Sequence, residues 1–281
     1  MEPSCLDYRL TAKERRKFEQ EGYFIVPDAL PASLVGDLAA VVDRLDCRHR
    51  QTNGIDAGEM IHILDFIGRD DLFLRLLDWP LTFPKVWGIL GWNIQLYHTD
   101  MVITPPGRVR PPGKKRLEWH QDSGRLNLEL EGDPRPRVSL KIGFFLTDTS
   151  QPGCGNFTIV PGSHRRNRLP LPDDGVSDPP DALTVCVPPG TAVFFDRRLW
   201  HSGSPNDSDW TRKVLFYGYS YRWLRPRDDM TVDHLMDRCG PIRRQLLGAG
   251  TGGMGYTSPG PEDVPLKAWM ERHLPPEAVP D

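Results

Sequence analysis

Several things are scarce in this chain. No apolar run approaches the roughly 18–20 residues that a membrane helix needs, so no spanning segment and no membrane partner are expected. Cysteine is sparse: Cys5, Cys47, Cys154, Cys186 and Cys239 are odd in number, widely scattered and form no CxxC pair. That disfavours a disulfide framework or a structural zinc site and fits a reducing, cytoplasmic compartment. The N-terminal stretch MEPSCLDYRLTAKERRKFEQEG lacks an apolar core, so no signal peptide is expected. Charge of one sign is not in excess either. With 35 basic and 38 acidic residues the net charge is −3, which gives no ground for a nucleic-acid partner. No internal repeat is visible.

What is abundant is punctuation. The 281 residues include 26 glycines and 28 prolines, which disfavours a helical bundle and excludes a coiled coil. The length suits one sizeable core, and no composition break divides it, so one domain over 1–281 is expected. Thr11-Ala12-Lys13-Glu14 is a capping-box pattern that opens a short helix closed by Gly22. Tyr23–Val26 reads as a buried strand. Ser33 is expected to cap a second helix, with Leu34, Leu38, Val41, Val42 and Leu45 on one face. Segments 71–77 and 81–90 read as further helices, so residues 11–90 form a mostly helical support.

From Gly91 the texture changes to short strands: 93–104, 137–147, 157–160, 183–187, 192–195 and 213–221. Pro152-Gly153, Pro161-Gly162 and Pro189-Gly190 mark turns between them. Segment 165–182 reads as a polar surface excursion, and 240–281 as an extension with one amphipathic stretch near 264–273. Helices followed by many short strands argue for a mainly β sandwich or barrel with a helical layer outside, its core at about 91–225.

His120 and Asp122 stand two apart in Trp119-His120-Gln121-Asp122, which on a strand puts both side chains on one face. Alone, such a pair is more often a structural histidine near an aspartate. His201 lies 79 residues on, and the three together would form a 2-His-1-carboxylate set with open metal positions, the arrangement of non-haem Fe(II) and O2 chemistry. Arg212 follows His201 by eleven residues. Its guanidinium suits the far carboxylate of a dicarboxylate such as 2-oxoglutarate.

Further segments carry a resemblance. They are Glu21–Val26, Trp119–Asp122, Val160–His164, Pro188–Phe195, and His201–Asn206 with Arg212 after it. Over roughly residues 12–225 the chain resembles the phytanoyl-CoA dioxygenase family of Fe(II)/2-oxoglutarate oxygenases. The resemblance implies a double-stranded β-helix, the jelly-roll of cupin-like proteins, with Fe(II), 2-oxoglutarate and O2 as cofactors and ascorbate as a useful reductant in vitro. It implies His120, Asp122 and His201 as iron ligands and Arg212 as the clamp on the C5 carboxylate. The family often has a serine two residues after the distal histidine. Gly203 stands there, leaving Ser204 as a substitute contact to the keto acid. The carboxylate of Asp122 argues against halogenation, which needs a small residue at that place.

Other candidates carry less. Gln121 and His98 are candidate cosubstrate contacts, although Gln121 would point away from the metal on an ideal strand. His62, Trp119, Met101, Lys141, Arg108 and Arg116 are candidates for a substrate pocket. Lys141 faces either a polar pocket or, in the plainer reading, the solvent side of an alternating strand. Arg108 and Arg116 belong to a basic loop that is either a lid for an anionic substrate or simply solvated. Arg222, Arg225 and Arg227 pose the same question. His164 belongs to an architectural turn.

The expected activity is hydroxylation or oxidative cyclisation of a small molecule, as a tailoring step in antibiotic or other specialised metabolism. The chain ends Ala278-Val279-Pro280-Asp281, without a peroxisomal signal, which leans away from lipid-catabolic members. Other readings are an acyl-CoA or amino-acid-derived hydroxylase, a cupin-like hydrolase or isomerase without 2-oxoglutarate, and a non-catalytic jelly-roll scaffold.

Overall fold

The computed structural model describes residues 1–107, 119–174, 177–250 and 259–279. The first helix, α1 (Ala12–Glu21), starts at a capping box in which Thr11 and Glu14 bond reciprocally, and ends at Gly22. Gly22 has φ +81°, and a Cβ there would lie 2.6 Å from the His164 ring and 2.9 Å from Leu199. Only glycine allows both the left-handed turn and that close approach. β1 (Tyr23–Val26) follows at once. The next helix, α2 (Ala32–Asn53), begins two residues earlier than its serine suggests: Pro31 occupies the cap and Ser33 lies inside the first turn. Proline's fixed φ and missing N–H suit a helix start. Its face of Leu34, Leu38, Val41 and Val42 is buried.

β2 (Ile61–Leu64) interrupts the helical region and was not expected there. Four residues with alternating burial are too short a signal to separate from a helix. Then come α3 (Asp71–Leu77), α4 (Phe83–Leu90) and the long β3 (Ile94–Thr104). α5 (Gly124–Glu129) precedes β4 (Ser139–Phe145), β5 (Phe157–Ile159), β6 (Leu183–Val185), β7 (Ala192–Asp196), β8 (His201–Gly203) and β9 (Arg212–Tyr221). α6 (Pro241–Leu246) and α7 (Pro265–His273) pack on one another near the C-terminus.

The strands form two antiparallel sheets, ordered β1-β7-β4-β9-β3-β2 and β6-β5-β8. Their facing arrangement is a jelly-roll with helices outside. Both faces of the six-stranded sheet are covered at its centre, so β4 and β7 are buried at every position, while the edge strand β2 exposes His62 and Leu64. Along β4 and β9, Leu140, Ile142, Phe144, Leu215, Tyr217 and Tyr219 pack towards the helices. Phe145, Val214 and Phe216 join Phe157, Ile159 and Val185 of the smaller sheet in a second core. The period of two therefore sends Arg212, two residues before Val214, to the space between the sheets. The solvent-side reading of Lys141 fails for the same reason: at β4, a central strand, neither face is open to water. Among the described residues no helix is long and apolar enough to cross a membrane.

The turn from β7 to β8 is anchored on a buried carboxylate. Asp196 is fully buried, and Arg198 donates to it twice, at 2.7 and 2.8 Å, with Arg137 donating at 2.7 Å. The Arg198 backbone N–H adds a fourth bond at 2.9 Å. These contacts outweigh burial and hold the Asp196 carboxyl below the ordinary range. Removing one partner of a buried pair leaves an uncompensated charge. Arg198→Met is expected to lower folding stability by about 2–4 kcal/mol in urea denaturation. A change within about 0.5 kcal/mol would mean that Arg137 alone suffices.

Candidate metal and cosubstrate site

The strip 120–122 pairs with β8 through a bridge between His120 and His201, whose backbones exchange two hydrogen bonds of 3.0 Å. The Asp122 N–H donates to the Arg197 carbonyl at 2.9 Å. His201 Nδ1–H donates to the Leu199 carbonyl at 2.8 Å, and the Gln121 amide donates to the Arg198 carbonyl at 2.5 Å. Three consecutive carbonyls of the Asp196-anchored turn thus receive three groups of the site. On its other side, Asn127 of α5 donates to the Asp122 carbonyl at 2.7 Å and accepts from the buried Arg197.

The candidate ligand atoms of His120, Asp122 and His201 all lie within 4.8 Å of one another. Asp122 and His201 are buried, whereas His120 is exposed. With Nδ1 spent on a carbonyl, His201 presents the Nε2 lone pair inward, the tautomer a metal requires. Burial, and then the neighbouring His120, push the His201 pKa down to about 3, so the ring is neutral. Burial alone would favour a protonated Asp122. Lys141 foremost, with His201 and His120, reverses this and holds the carboxyl well below the carboxylate range.

Lys141 donates to Asp122 Oδ1 at 2.9 Å, while Oδ2 is buried with no hydrogen-bond partner. An orphaned carboxylate oxygen between two imidazoles is what a divalent cation would satisfy, so the residues present fit a metal ion.

The trio opens on a cavity of about 500 Å³ that Arg212 also lines. Arg212 is buried, its Nε has no hydrogen-bond partner, and burial lowers its pKa to about 10. Among the described residues no carboxylate forms an ion pair with it. Phe157, Phe195 and Phe216 supply the apolar wall, and Ser202, Gly203 and Ser204 line it beside His201.

The remaining candidates separate by strand parity. Val102 and Thr104 line the cavity, as does Asp100, which the sequence reading missed although it shares their phase on β3. Met101 has the opposite phase, is fully buried, and packs with the core towards the helices, which corrects its place among the pocket residues. His62 is on the rim, 2.9 Å from Asp100. Trp119 does not line this cavity; its indole donates to Asp178 at 3.1 Å. Gln121 also falls outside it, because its amide serves the carbonyls of Arg166 and Arg198. His98 lies on an adjoining cavity together with Gln121, Lys141 and Arg227. His164 bonds the Glu19 carbonyl at 3.1 Å. Arg108 and Arg116 lie outside the described residues.

Two predictions follow from the charges. Breaking the buried Lys141–Asp122 pair should cost the metal-free protein about 3 kcal/mol in Lys141→Met, while a saturating divalent metal should stabilise that variant more than the wild type. Equal metal-induced shifts in melting temperature would show that Lys141 does not compensate Asp122. The second concerns pH. His98, His164 and His201 all have pKa values lowered below the ordinary 6.5, chiefly by burial. The unfolded chain takes up protons first, so stability is complete above about 6.5 and declines as pH falls towards about 3. The melting temperature of metal-free protein should drop steadily from pH 7.5 to 5.5. A flat profile over that range would mean the rings are already charged in the fold.

The phytanoyl-CoA dioxygenase (PhyH) family model matches residues 18–214. The ectoine dioxygenase of Stutzerimonas stutzeri (strain A1501) is 24% identical over 245 residues, covering 75% of this chain and 77% of the relative. Among solved structures, HygX from Streptomyces hygroscopicus with nickel and 2-oxoglutarate bound superposes with a TM-score of 0.60 at 19% identity, covering 78% of this chain and 90% of HygX. HygX has also been solved with hygromycin B bound. SnoK, a non-haem α-ketoglutarate-dependent carbocyclase from nogalamycin biosynthesis, gives a TM-score of 0.59 at 20% identity, covering 83% of this chain and 92% of SnoK. With a family match over most of its length, and with that fold around a two-histidine, one-carboxylate cluster, the chain belongs to the phytanoyl-CoA dioxygenase family.

Proposed function

We propose that this protein is an Fe(II)- and 2-oxoglutarate-dependent oxygenase that hydroxylates or oxidatively cyclises an unactivated C–H bond of a small molecule, as a tailoring step in specialised metabolism. The observation that carries the reaction class is the pairing, in one cavity, of an orphaned Asp122 oxygen with a buried Arg212 that meets no carboxylate among the described residues. A dianionic keto acid satisfies both ends, chelating a metal at one and meeting a guanidinium at the other. The tailoring role is supported by fold similarity to HygX and SnoK and by the retained carboxylate of Asp122.

When bound, iron and the keto acid would supply the oxidation: 2-oxoglutarate and O2 would give succinate and CO2, with the second oxygen atom entering the substrate as a hydroxyl or leaving as water with two substrate hydrogens on cyclisation. The chain's own residues do the positioning. His201, held by the Leu199 carbonyl, and Asp122, held through Oδ1 by Lys141, each offer one fixed atom to the metal. Arg212 fixes the far carboxylate, with Ser204 on the same wall. Phe157, Phe195 and Phe216 exclude water from the space between the sheets, which strengthens each charge contact.

The test is succinate formation from 2-oxoglutarate with Fe(II), ascorbate and air, with and without a metabolite library. Turnover is expected in the wild type and its loss in His120→Ala. Arg212→Ala should weaken 2-oxoglutarate binding to nickel-loaded protein by about 2–5 kcal/mol in calorimetry. Unchanged affinity would remove Arg212 from the clamp, and a wild type that does not bind 2-oxoglutarate would sink the reading.

A further inference from the structure

Arg227 lies just beyond β9 and lines both the metal cavity and the adjoining one of about 650 Å³. It is exposed, and among the described residues its guanidinium meets no carboxylate. Its partner is a neutral acceptor: Arg227 Nη1 donates to His98 Nε2 at 3.0 Å. His98 is buried, and its Nδ1–H donates to Asp228 at 2.8 Å. Asp228 also accepts from the Thr99 backbone at 2.6 Å and the Thr99 hydroxyl at 2.9 Å. The backbone N–H groups of Arg227 and Asp228 both point to the Tyr97 carbonyl.

A buried carboxylate and a buried imidazole, fully hydrogen-bonded, therefore end in one guanidinium at the cavity. The directions of the bonds are consistent only with a neutral His98 that accepts from Arg227. The chain holds the guanidinium in place, yet the neutral ring leaves its charge available on the cavity side. A solvated surface arginine needs no such support. Arg212, inside the same cavity, is committed to the keto acid under the oxygenase reading, so Arg227 is a separate anion contact. The same cavity carries Met60, Val102 and Phe216 as apolar lining.

We propose that Arg227 is a substrate-binding residue that receives an oxyanion, carboxylate or phosphate, of a small-molecule substrate, with His98 and Asp228 as its positioning residues. The proposal rests on the oxygenase reading for the identity of the bound molecule as substrate, not for the anion contact itself.

The experiment titrates benzoate, phenyl phosphate and neutral benzamide into nickel-loaded protein, with and without saturating 2-oxoglutarate, by calorimetry. Both anions are expected to bind at least about tenfold more tightly than benzamide, and Arg227→Met to abolish that preference. Arg227→Lys should retain part of it. Asp228→Asn keeps the Arg227 side chain but removes the carboxylate that orients His98, so it should weaken anion binding through lost positioning while nickel and 2-oxoglutarate affinities stay unchanged; unchanged or tighter anion binding would remove Asp228 from the positioning role. A preference for one anion identifies the group the site takes. Absence of anion binding, equal binding of benzamide, or anion binding that survives Arg227→Met would overturn the proposal. Failure of the wild type to bind 2-oxoglutarate would instead count against the oxygenase reading, since the Arg227 comparison is read without the keto acid as well.

Discussion

The site depends on one buried carboxylate that never touches it. Asp196 closes the turn after β7 with bonds from Arg198 and Arg137, and that turn offers the carbonyls of Arg197, Arg198 and Leu199 in succession. Each carbonyl takes a different part of the site: the Asp122 backbone, the Gln121 amide and the His201 ring. A carbonyl is a stiff acceptor, because its direction is set by the backbone and not by a rotamer. Loosening Asp196 would move all three at once. The two arginines are therefore better understood as holding geometry than as adding stability, since buried ion pairs contribute little net free energy against apolar replacements.

The second constraint is that the large sheet is covered on both sides. Helices take one face and the small sheet the other, so alternation along β3, β4 and β9 sorts residues between a helical core and the cavity. That sorting puts Lys141 and Arg212 among aromatic rings, where their charges are strong and poorly screened. Lys141 has Asp122 to answer it. Arg212 has no such partner among the described residues.

Much of this is legible in the sequence, and the limits have physical causes. The capping box, the Gly22 stop and the turn prolines act within a few residues, so α1 and most strand positions can be read directly. His120, Asp122, His201 and Arg212 are legible as candidates because strand parity and the chemistry of the side chains narrow the choice. Met101, Trp119 and Gln121 are harder. Each neighbours a candidate ligand or cavity residue in sequence, and only the register of β3 and the bridge between His120 and His201 decide which way they face. Lys141 misleads because an alternating strand is read as half-exposed unless the second covering layer is known. The Asp196 turn and the Asp228–His98–Arg227 chain join residues far apart in sequence and have no local signal at all.

The charges also explain why the cavity suits a dianion. Asp122 and Lys141 cancel, leaving Arg212 buried with no carboxylate paired to it among the described residues, and the orphaned Asp122 oxygen between the two imidazoles. A divalent cation alone would add two positive charges to a space that already holds a guanidinium, which Coulomb repulsion in a low-dielectric interior opposes. A keto acid with two carboxylates brings the compensating charge, one group to each end. Metal and cosubstrate should therefore bind more tightly together than apart, a coupling that must be reciprocal because it is a property of the shared site. Arg227, outside this balance and supported by its own buried carboxylate, is among the described residues the remaining positive group on the cavity that is free to select an anion.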